Sequence, residues 1–243
     1  GIKGTYVPFM VKPKDLGQAI ESLRILHVAG ANITVPYKEA TIPYLDVLSE
    51  GANIIGAVNT IVRDGDRLKG YNTNAIGIMD ALSEAAFEVE GKKALVFGTG
   101  GVARAVVFIL NWLRASRIYV SGRNLDQARS IITTFAGEVL ELSSLPGRSL
   151  PVDIVVNATA VSSSEESPEM AEVVRSLEVT DCRLVFDLNY GRRANFWQEM
   201  AEGKDIHFMD GLSALAFQAR RTFALWTGLQ VPPEEFIRAL KEK

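Results

Sequence analysis

The chain has 243 residues, 47% of them hydrophobic and 23% charged, and carries a net charge of −3. That balance describes a globular protein of one large or two modest domains, with no basic field for nucleic acid or an acidic membrane surface. The longest strongly apolar stretch, Ala105 to Leu113, is too short to span a bilayer. A single cysteine fits a reducing, cytoplasmic setting, and one Cys with two His residues gives no basis for a Cys/His metal site.

In chain order, a strand is read at Thr5–Val11 and a helix at about Asp15–Ala29, on the spacing Leu16, Ile20, Leu23. A strand at Ala31–Val35 and a helix at about Glu39–Gly51 come next. Val58–Val62 and Arg67–Lys69 flank Asp64-Gly65, a hairpin signal, and Ile76–Phe87 reads as a helix. From Lys92 strand and helix alternate regularly. The strands are Ala94–Phe97, Arg117–Ser121, Glu138–Leu142, Ile154–Asn157, Leu184–Asp187 and Ile206–Phe208. Several are unbroken apolar runs, the pattern of parallel strands covered on both faces. Helices at Val102–Leu113 and Leu125–Phe135 fill the first crossovers, and Leu212–Thr227 and a segment after Pro232-Pro233 close the chain. Ser162 to Ser167 reads as a mobile polar loop.

Gly98-Thr99-Gly100-Gly101 succeeds the strand ending at Phe97 and opens the helix at Val102. Gly98 allows the tight turn, Gly100 lets backbone approach a pyrophosphate, and Ala103 is small enough for close helix–strand packing. A helix N-terminus there favours anions. The alternative is an ordinary turn that uses glycine only for positive φ. At the end of the second strand, Ser121-Gly122-Arg123-Asn124 stands where NAD binders usually carry an acidic residue. Arg123 is suited to a 2′-phosphate, which favours NADP; a solvated loop arginine is the alternative, and Asp126 lies nearby.

Thr34 and Lys38 lie at a strand tip in Asn32-Ile33-Thr34-Val35-Pro36-Tyr37-Lys38. Asn59-Thr60 and Gly70-Tyr71-Asn72-Thr73-Asn74 add short polar side chains. Taken singly, Lys38 reads as a surface charge and the asparagines as turn formers. Together with Gly56-Ala57-Val58 before Asn59, the run from Gly98 to Ala105, Asn157-Ala158-Thr159, Asp210-Gly211-Leu212, Gln218 and Trp226-Thr227-Gly228, these segments resemble the shikimate dehydrogenase family. The matches run in order over essentially the whole chain.

The resemblance implies two α/β domains. One is a Rossmann-type parallel-sheet domain for NADP at 74–210. The other is a discontinuous α/β substrate domain at 1–73 and 211–243, lacking the family's first strand. It implies that Lys38 is the catalytic lysine, with Asn74 at the position of its catalytic partner. Thr34, Asn59 and Gln218 would bind hydroxyls of shikimate, and Tyr190 would lie beside its carboxylate. Gly98, Thr99, Gly100, Gly101, Val102, Ala103, Arg123, Asn157, Ala158, Thr159, Leu188 and Gly211 would line the NADP site. Glu50 sits where some members place an acid near the nicotinamide; a plain helix position is the other reading. The partner is a small molecule, shikimate or a close analogue, and the assembly a monomer or homodimer. The implied reaction is reversible reduction of 3-dehydroshikimate to shikimate, in aromatic amino acid and chorismate biosynthesis. Gln218 also has local support, since it lies with Leu215 and Thr222 on a mostly apolar helix where a polar group needs a partner.

Departures from the family pattern bear on activity. Asn74 replaces an aspartate; it hydrogen-bonds but neither accepts a proton nor carries charge. Family members begin with a strand, a helix and a Ser-x-Ser-Pro motif for the substrate carboxylate, so the expectation is a segment preceding Gly1, the alternative being a protein that lacks the carboxylate-binding serines. Ala160-Val161-Ser162 after Asn-Ala-Thr, Ala194-Asn195 in place of Thr-Pro, and Gln127 in place of a second arginine alter the cofactor loops. Three readings stand side by side: an NADP-dependent shikimate dehydrogenase impaired at Asn74, a relative acting on quinate or another cyclitol acid, and a silent dinucleotide-binding protein.

Overall fold

The computed structural model describes residues 2–242, and they divide into two compact units between Tyr71 and Asn72. The first unit runs α1 (Leu16–Ile25), β1 (Gly30–Asn32), β2 (Val47–Leu48), α2 (Glu50–Ile55), β3 (Thr60–Asp64) and β4 (Arg67–Tyr71). Its sheet has the order β1-β3-β4-β2, with β3 antiparallel to both neighbours and β2 parallel to β4. The expected hairpin forms: Asp64 faces Arg67, and Gly65 takes φ +61° between them. Leu16 and Ile20 of α1 bury against Ala52, Val58, Ile61 and Leu68.

Two expectations in this unit are corrected. Thr5–Val11 is not a strand, because its backbone joins no ladder among the described residues. Side chains hold the segment instead: Tyr37 Oη donates to the Val11 carbonyl at 2.6 Å, and Tyr6 Oη to Asn32 Oδ1 at 3.1 Å. High β-propensity makes a strand only where a partner edge is offered. Nor is 39–51 one helix. Pro43 lacks the N–H that a helix interior needs, so the chain makes a 3-10 turn at Ile42–Tyr44, a short strand, and a fresh helix. Ser49 caps that helix, accepting from Ala52 N at 3.3 Å.

The second unit opens with α3 (Thr73–Glu84), then β5 (Lys93–Phe97), α4 (Gly101–Trp112), β6 (Arg117–Ser121), α5 (Leu125–Phe135) and β7 (Glu138–Leu140). It continues with β8 (Ser149–Pro151), β9 (Ile154–Asn157), α6 (Pro168–Arg175), β10 (Glu178–Thr180), β11 (Leu184–Asp187) and α7 (Phe196–Glu202). It closes with β12 (His207–Met209), α8 (Leu212–Thr227) and α9 (Pro233–Lys241). Six strands form one parallel sheet in the order β12-β11-β9-β5-β6-β7. The first strand lies centrally and the order reverses between β5 and β9, which is the doubly wound Rossmann arrangement. The residues of β5 from Ala94, of β9 and of β11 are all buried, as the apolar runs predict. The short β8 and β10, together with α6 and α7, were not read from the sequence; the first two pair in parallel away from the main sheet.

Two packing details stiffen the second unit. Gly77 lets α3 and α8 approach: a Cβ there would lie 2.4 Å from the Ala214 carbonyl oxygen and 3.0 Å from Gln218 Cβ. Fully buried Trp197 packs on Phe97 and Phe196, at centroid distances of 4.9 and 5.3 Å, and its indole N–H donates to the Val161 carbonyl at 3.1 Å. No helix of the described residues is long and apolar enough to cross a membrane.

Candidate active site

In the first unit, backbone bonds gather Thr34, Lys38 and Asn59 around the end of β1. Ile33 N donates to the Asn59 carbonyl at 2.8 Å, and Val58 N to the Lys38 carbonyl at 2.7 Å. The turn between closes with Tyr37 N on the Thr34 carbonyl at 3.0 Å, across a cis Val35-Pro36 peptide. Asn59 is buried, with its N–H on the Tyr71 carbonyl and its carbonyl receiving Asn32 Nδ2 at 3.1 Å. Thr34 is exposed and Lys38 half-buried. Burial pushes the Lys38 ammonium down to about 8, because a charged amine loses hydration there. Glu50 is exposed in the first turn of α2.

In the second unit the ladder register aligns Ser121, Phe97, Asn157 and Asp187 as the carboxyl-terminal residues of four adjacent strands. Ligands of doubly wound sheets bind outside such ends, at the reversal of strand order. The glycine turn lies there. Gly98 takes φ +122°, and a Cβ on it would stand 2.7 Å from the Ala158 carbonyl oxygen, so the turn and the 157–159 loop fit together only without a side chain. A Cβ on Gly100 meets nothing within 4 Å, and no side chain caps α4. Ala103 is buried, as helix–strand packing requires. Gly101 and Val102 form the first turn of α4, half-buried.

At the end of β6, Arg123 is exposed and has no ion-pair partner among the described residues. Ser121 Oγ is buried without a hydrogen-bond partner there. Gln127 is tied to the glycine turn, its Oε1 accepting from the Thr99 hydroxyl at 3.0 Å. An open helix N-terminus, a turn that is closed to a Cβ at Gly98 and open over Gly100, and an unpaired cation past β6 suit a dinucleotide with a 2′-phosphate.

On the other side of the turn, Asn157 Nδ2 reaches Asp187 Oδ1 at 2.7 Å, and its Oδ1 accepts from Thr159 N and Oγ1 at 3.0 and 2.7 Å. Leu188 lies against Gly211, where a Cβ would stand 2.2 Å from the Leu188 carbonyl oxygen. Tyr190 is 48% exposed in the loop beyond. Asn74 lies in the first turn of α3, after Asn72, whose side chain caps the helix by accepting from Ala75 N at 3.2 Å. Gln218 Oε1 accepts from Thr73 Oγ1 at 3.5 Å, and the Thr73 and Thr222 hydroxyls are 3.1 Å apart, which gives the polar stripe on α8 its partners.

Ser162–Ser167 is not a loose loop. Glu166 accepts from the Ser162 and Ser163 amides at 2.8 and 3.1 Å, Ser162 is buried, and Ser167 caps α6. Its polar composition is used up in local hydrogen bonds, a role that composition alone does not display. Sequence reasoning also missed Asp187. The available signal was a carboxylate ending an otherwise apolar strand, Leu-Val-Phe-Asp, as Asn157 ends Ile-Val-Val-Asn.

Known proteins match along the same lines. Residues 1–61 fit the family model described as the shikimate dehydrogenase substrate binding domain, and residues 81–212 that of shikimate / quinate 5-dehydrogenase. The NADP(+) shikimate dehydrogenase of Desulforamulus reducens is 37% identical over 94% of this chain and 81% of its own length. A chorismate mutase/shikimate 5-dehydrogenase fusion protein from Clostridium acetobutylicum superposes with a TM-score of 0.86 at 30% identity, covering 100% of this chain and 88% of that one. The Thermus thermophilus shikimate 5-dehydrogenase, solved with NADP(H) and shikimate, gives 0.81 at 31% identity over 96% of this chain and 85% of that one. With a Rossmann sheet, the glycine cradle and these relatives spanning both units, the chain belongs to the shikimate dehydrogenase family of oxidoreductases.

Proposed function

We propose that the chain catalyses the NADP-dependent interconversion of 3-dehydroshikimate and shikimate. The observation that carries this reading is Lys38, a half-buried lysine whose pKa of about 8 lets it gain and lose a proton near neutrality. A solvated surface lysine has no reason to leave its ordinary value. Residues 1–73 with 211–243 serve the substrate and 74–210 the cofactor. NADP would be held by Gly98 to Ala103, Arg123, Asn157 to Thr159, Leu188 and Gly211, and when bound it accepts or supplies the hydride at the carbinol carbon.

The protein's own part is proton transfer and recognition. In oxidation the substrate O–H bond breaks, its proton passes to the neutral Lys38 Nζ, and a carbonyl forms as hydride leaves the same carbon. In reduction the Lys38 ammonium returns the proton to the developing alkoxide. Thr34, Asn59 and Gln218 match the ring hydroxyls with short fixed donors and acceptors, and Tyr190 accompanies the carboxylate. Such a site rejects analogues that leave its polar groups unmatched. Asn74 lacks the charge and basicity of the aspartate that the family pairs with its lysine, so turnover is expected to be slow while NADP binds normally. NADP-linked shikimate turnover, measured by absorbance for the parent and Asn74→Asp, tests the reading. A variant with no gain removes the impairment, and no turnover in either removes the activity.

A further inference from the structure

Asp187 is fully buried, and among the described residues no cation faces it. It accepts five hydrogen bonds instead. Oδ1 takes Asn157 Nδ2 at 2.7 Å and the Asn189 N and Nδ2 at 3.0 and 3.2 Å; Oδ2 takes Ser162 Oγ and Asn195 Nδ2, each at 2.7 Å. Every partner donates, so the group acts as an acceptor only.

These donors come from separate segments that also bond to one another, Phe196 N to the Ser162 carbonyl at 2.9 Å and Leu188 N to the Asn157 carbonyl at 3.0 Å among them. Asn157 ends β9, Ser162 lies in the loop after it, and Asn195 caps α7 with its own oxygen, accepting from Trp197 N and Gln198 N at 2.9 and 3.3 Å. Asn189 Nδ2 also reaches the Thr159 carbonyl at 2.9 Å, and the Asn189 carbonyl receives Gly211 N at 2.9 Å. The carboxylate is thus the shared acceptor of 157–163, 188–189 and the start of α7, and with the direct bonds between them it holds these segments as a single wall. A dinucleotide lies across the strand reversal with its pyrophosphate on the first βα turn. Arg123 puts the 2′-phosphate and adenine on the β6 side, which leaves the β9–β11 side to the nicotinamide.

We infer that Asp187 is a positioning residue for the cofactor: its carboxylate holds the wall that receives the nicotinamide half of NADP. This rests on the proposed function, in which the crevice takes NADP. An Asp187→Asn amide placed at the Oδ2 position would face Asn195 Nδ2, a second donor that cannot turn over while its oxygen caps α7. Asn195→Asp removes that conflict, since the new carboxylate accepts from the amide at 187 and still caps the helix.

The experiment is calorimetric titration with NADPH and with 2′-phospho-ADP-ribose, which lacks the nicotinamide, alongside melting temperatures. Asp187→Asn is expected to raise the Kd for NADPH about tenfold, because the free wall shifts to relieve one unmatched buried donor and binding must restore it, and to leave the truncated probe unchanged. The double variant with Asn195→Asp is expected to recover NADPH binding. Equal weakening of both probes, or of neither, overturns the inference, as does a double variant that regains its melting temperature but not its NADPH affinity. If Asp187→Asn does not fold, Ser162→Ala and the double variant carry the same comparison. A parent protein that takes neither probe overturns the NADP crevice itself, and the inference with it.

Discussion

Single substitutions at three positions, Lys38, Asn74 and Gly98, test the proposed site. In the proposed reaction oxidation would use the free amine of Lys38 and reduction its ammonium, so kcat/KM for shikimate is expected to rise with pH and level off above about 8. Reduction should fall through the same pH; steady-state profiles in both directions check this, and flat ones remove Lys38 from proton transfer. Lys38→Met is expected to lower kcat about 10²–10⁴-fold and to leave the Kd for NADPH unchanged. Asn74→Asp should move kcat the other way, by about the same range, since it supplies the missing acid–base partner. Gly98→Ala combines φ +122° with a Cβ 2.7 Å from a carbonyl oxygen, so it is expected to abolish NADPH binding by calorimetry or to prevent folding. Lys38, Asn59 and Asn74 could be singled out from the sequence only through family resemblance, whereas Gln218 also stands out as a polar residue on an apolar helix stripe. Burial and hydrogen bonding, which separate a working lysine from a solvated one, do not show in residue type.

Among the elements, legibility tracked burial. The six strands of the main parallel sheet were readable nearly to the residue, because parallel strands covered on both faces leave apolar runs. The segment 39–51 misled because its apolar spacing mimics a helix, and a single proline decides otherwise. The role of Asp187 was missed for a different reason: apart from Asn189 two residues on, its partners lie 30, 25 and 8 residues away in sequence, and no local period encodes them. The 162–167 loop and the α3–α8 contact can each be tested at this scale. Amide hydrogen bonds from Ser162 and, less strongly, Ser163, with Arg192 nearby, hold the Glu166 carboxyl below its ordinary range. A lowered carboxylate stabilises above that range and lets go as pH falls through its own value. The Ser162 and Ser163 amide shifts are therefore expected to stay constant into mild acid by NMR and to move only below the usual Glu titration. A Gly77→Ala change would gain about 1 kcal/mol in an isolated helix, yet here it should cost about 1–3 kcal/mol in urea unfolding, because its methyl meets the Ala214 carbonyl.

For the whole molecule, the two units predict separable ligand footprints. NADPH alone should slow hydrogen exchange at 98–103 and 157–159, and at about 100 times its Kd should add about 2.7 kcal/mol to the stability of the unit that binds it. Shikimate alone should slow exchange near 58–60; NADPH without protection at 98–103 would contradict the cofactor site. The aromatic packing of the second unit makes the same events visible without a label. Of three tryptophans, Trp112 is 68% exposed, whereas Trp197 is fully buried and bonded to the Val161 carbonyl. Aqueous quenchers should therefore silence Trp112 first. The remaining emission then comes from Trp197 and the partly buried Trp226, and with Trp226→Phe it would report on the proposed cofactor wall from inside, shifting in colour when the 157–163 loop moves and dimming by energy transfer when a reduced nicotinamide settles beside it.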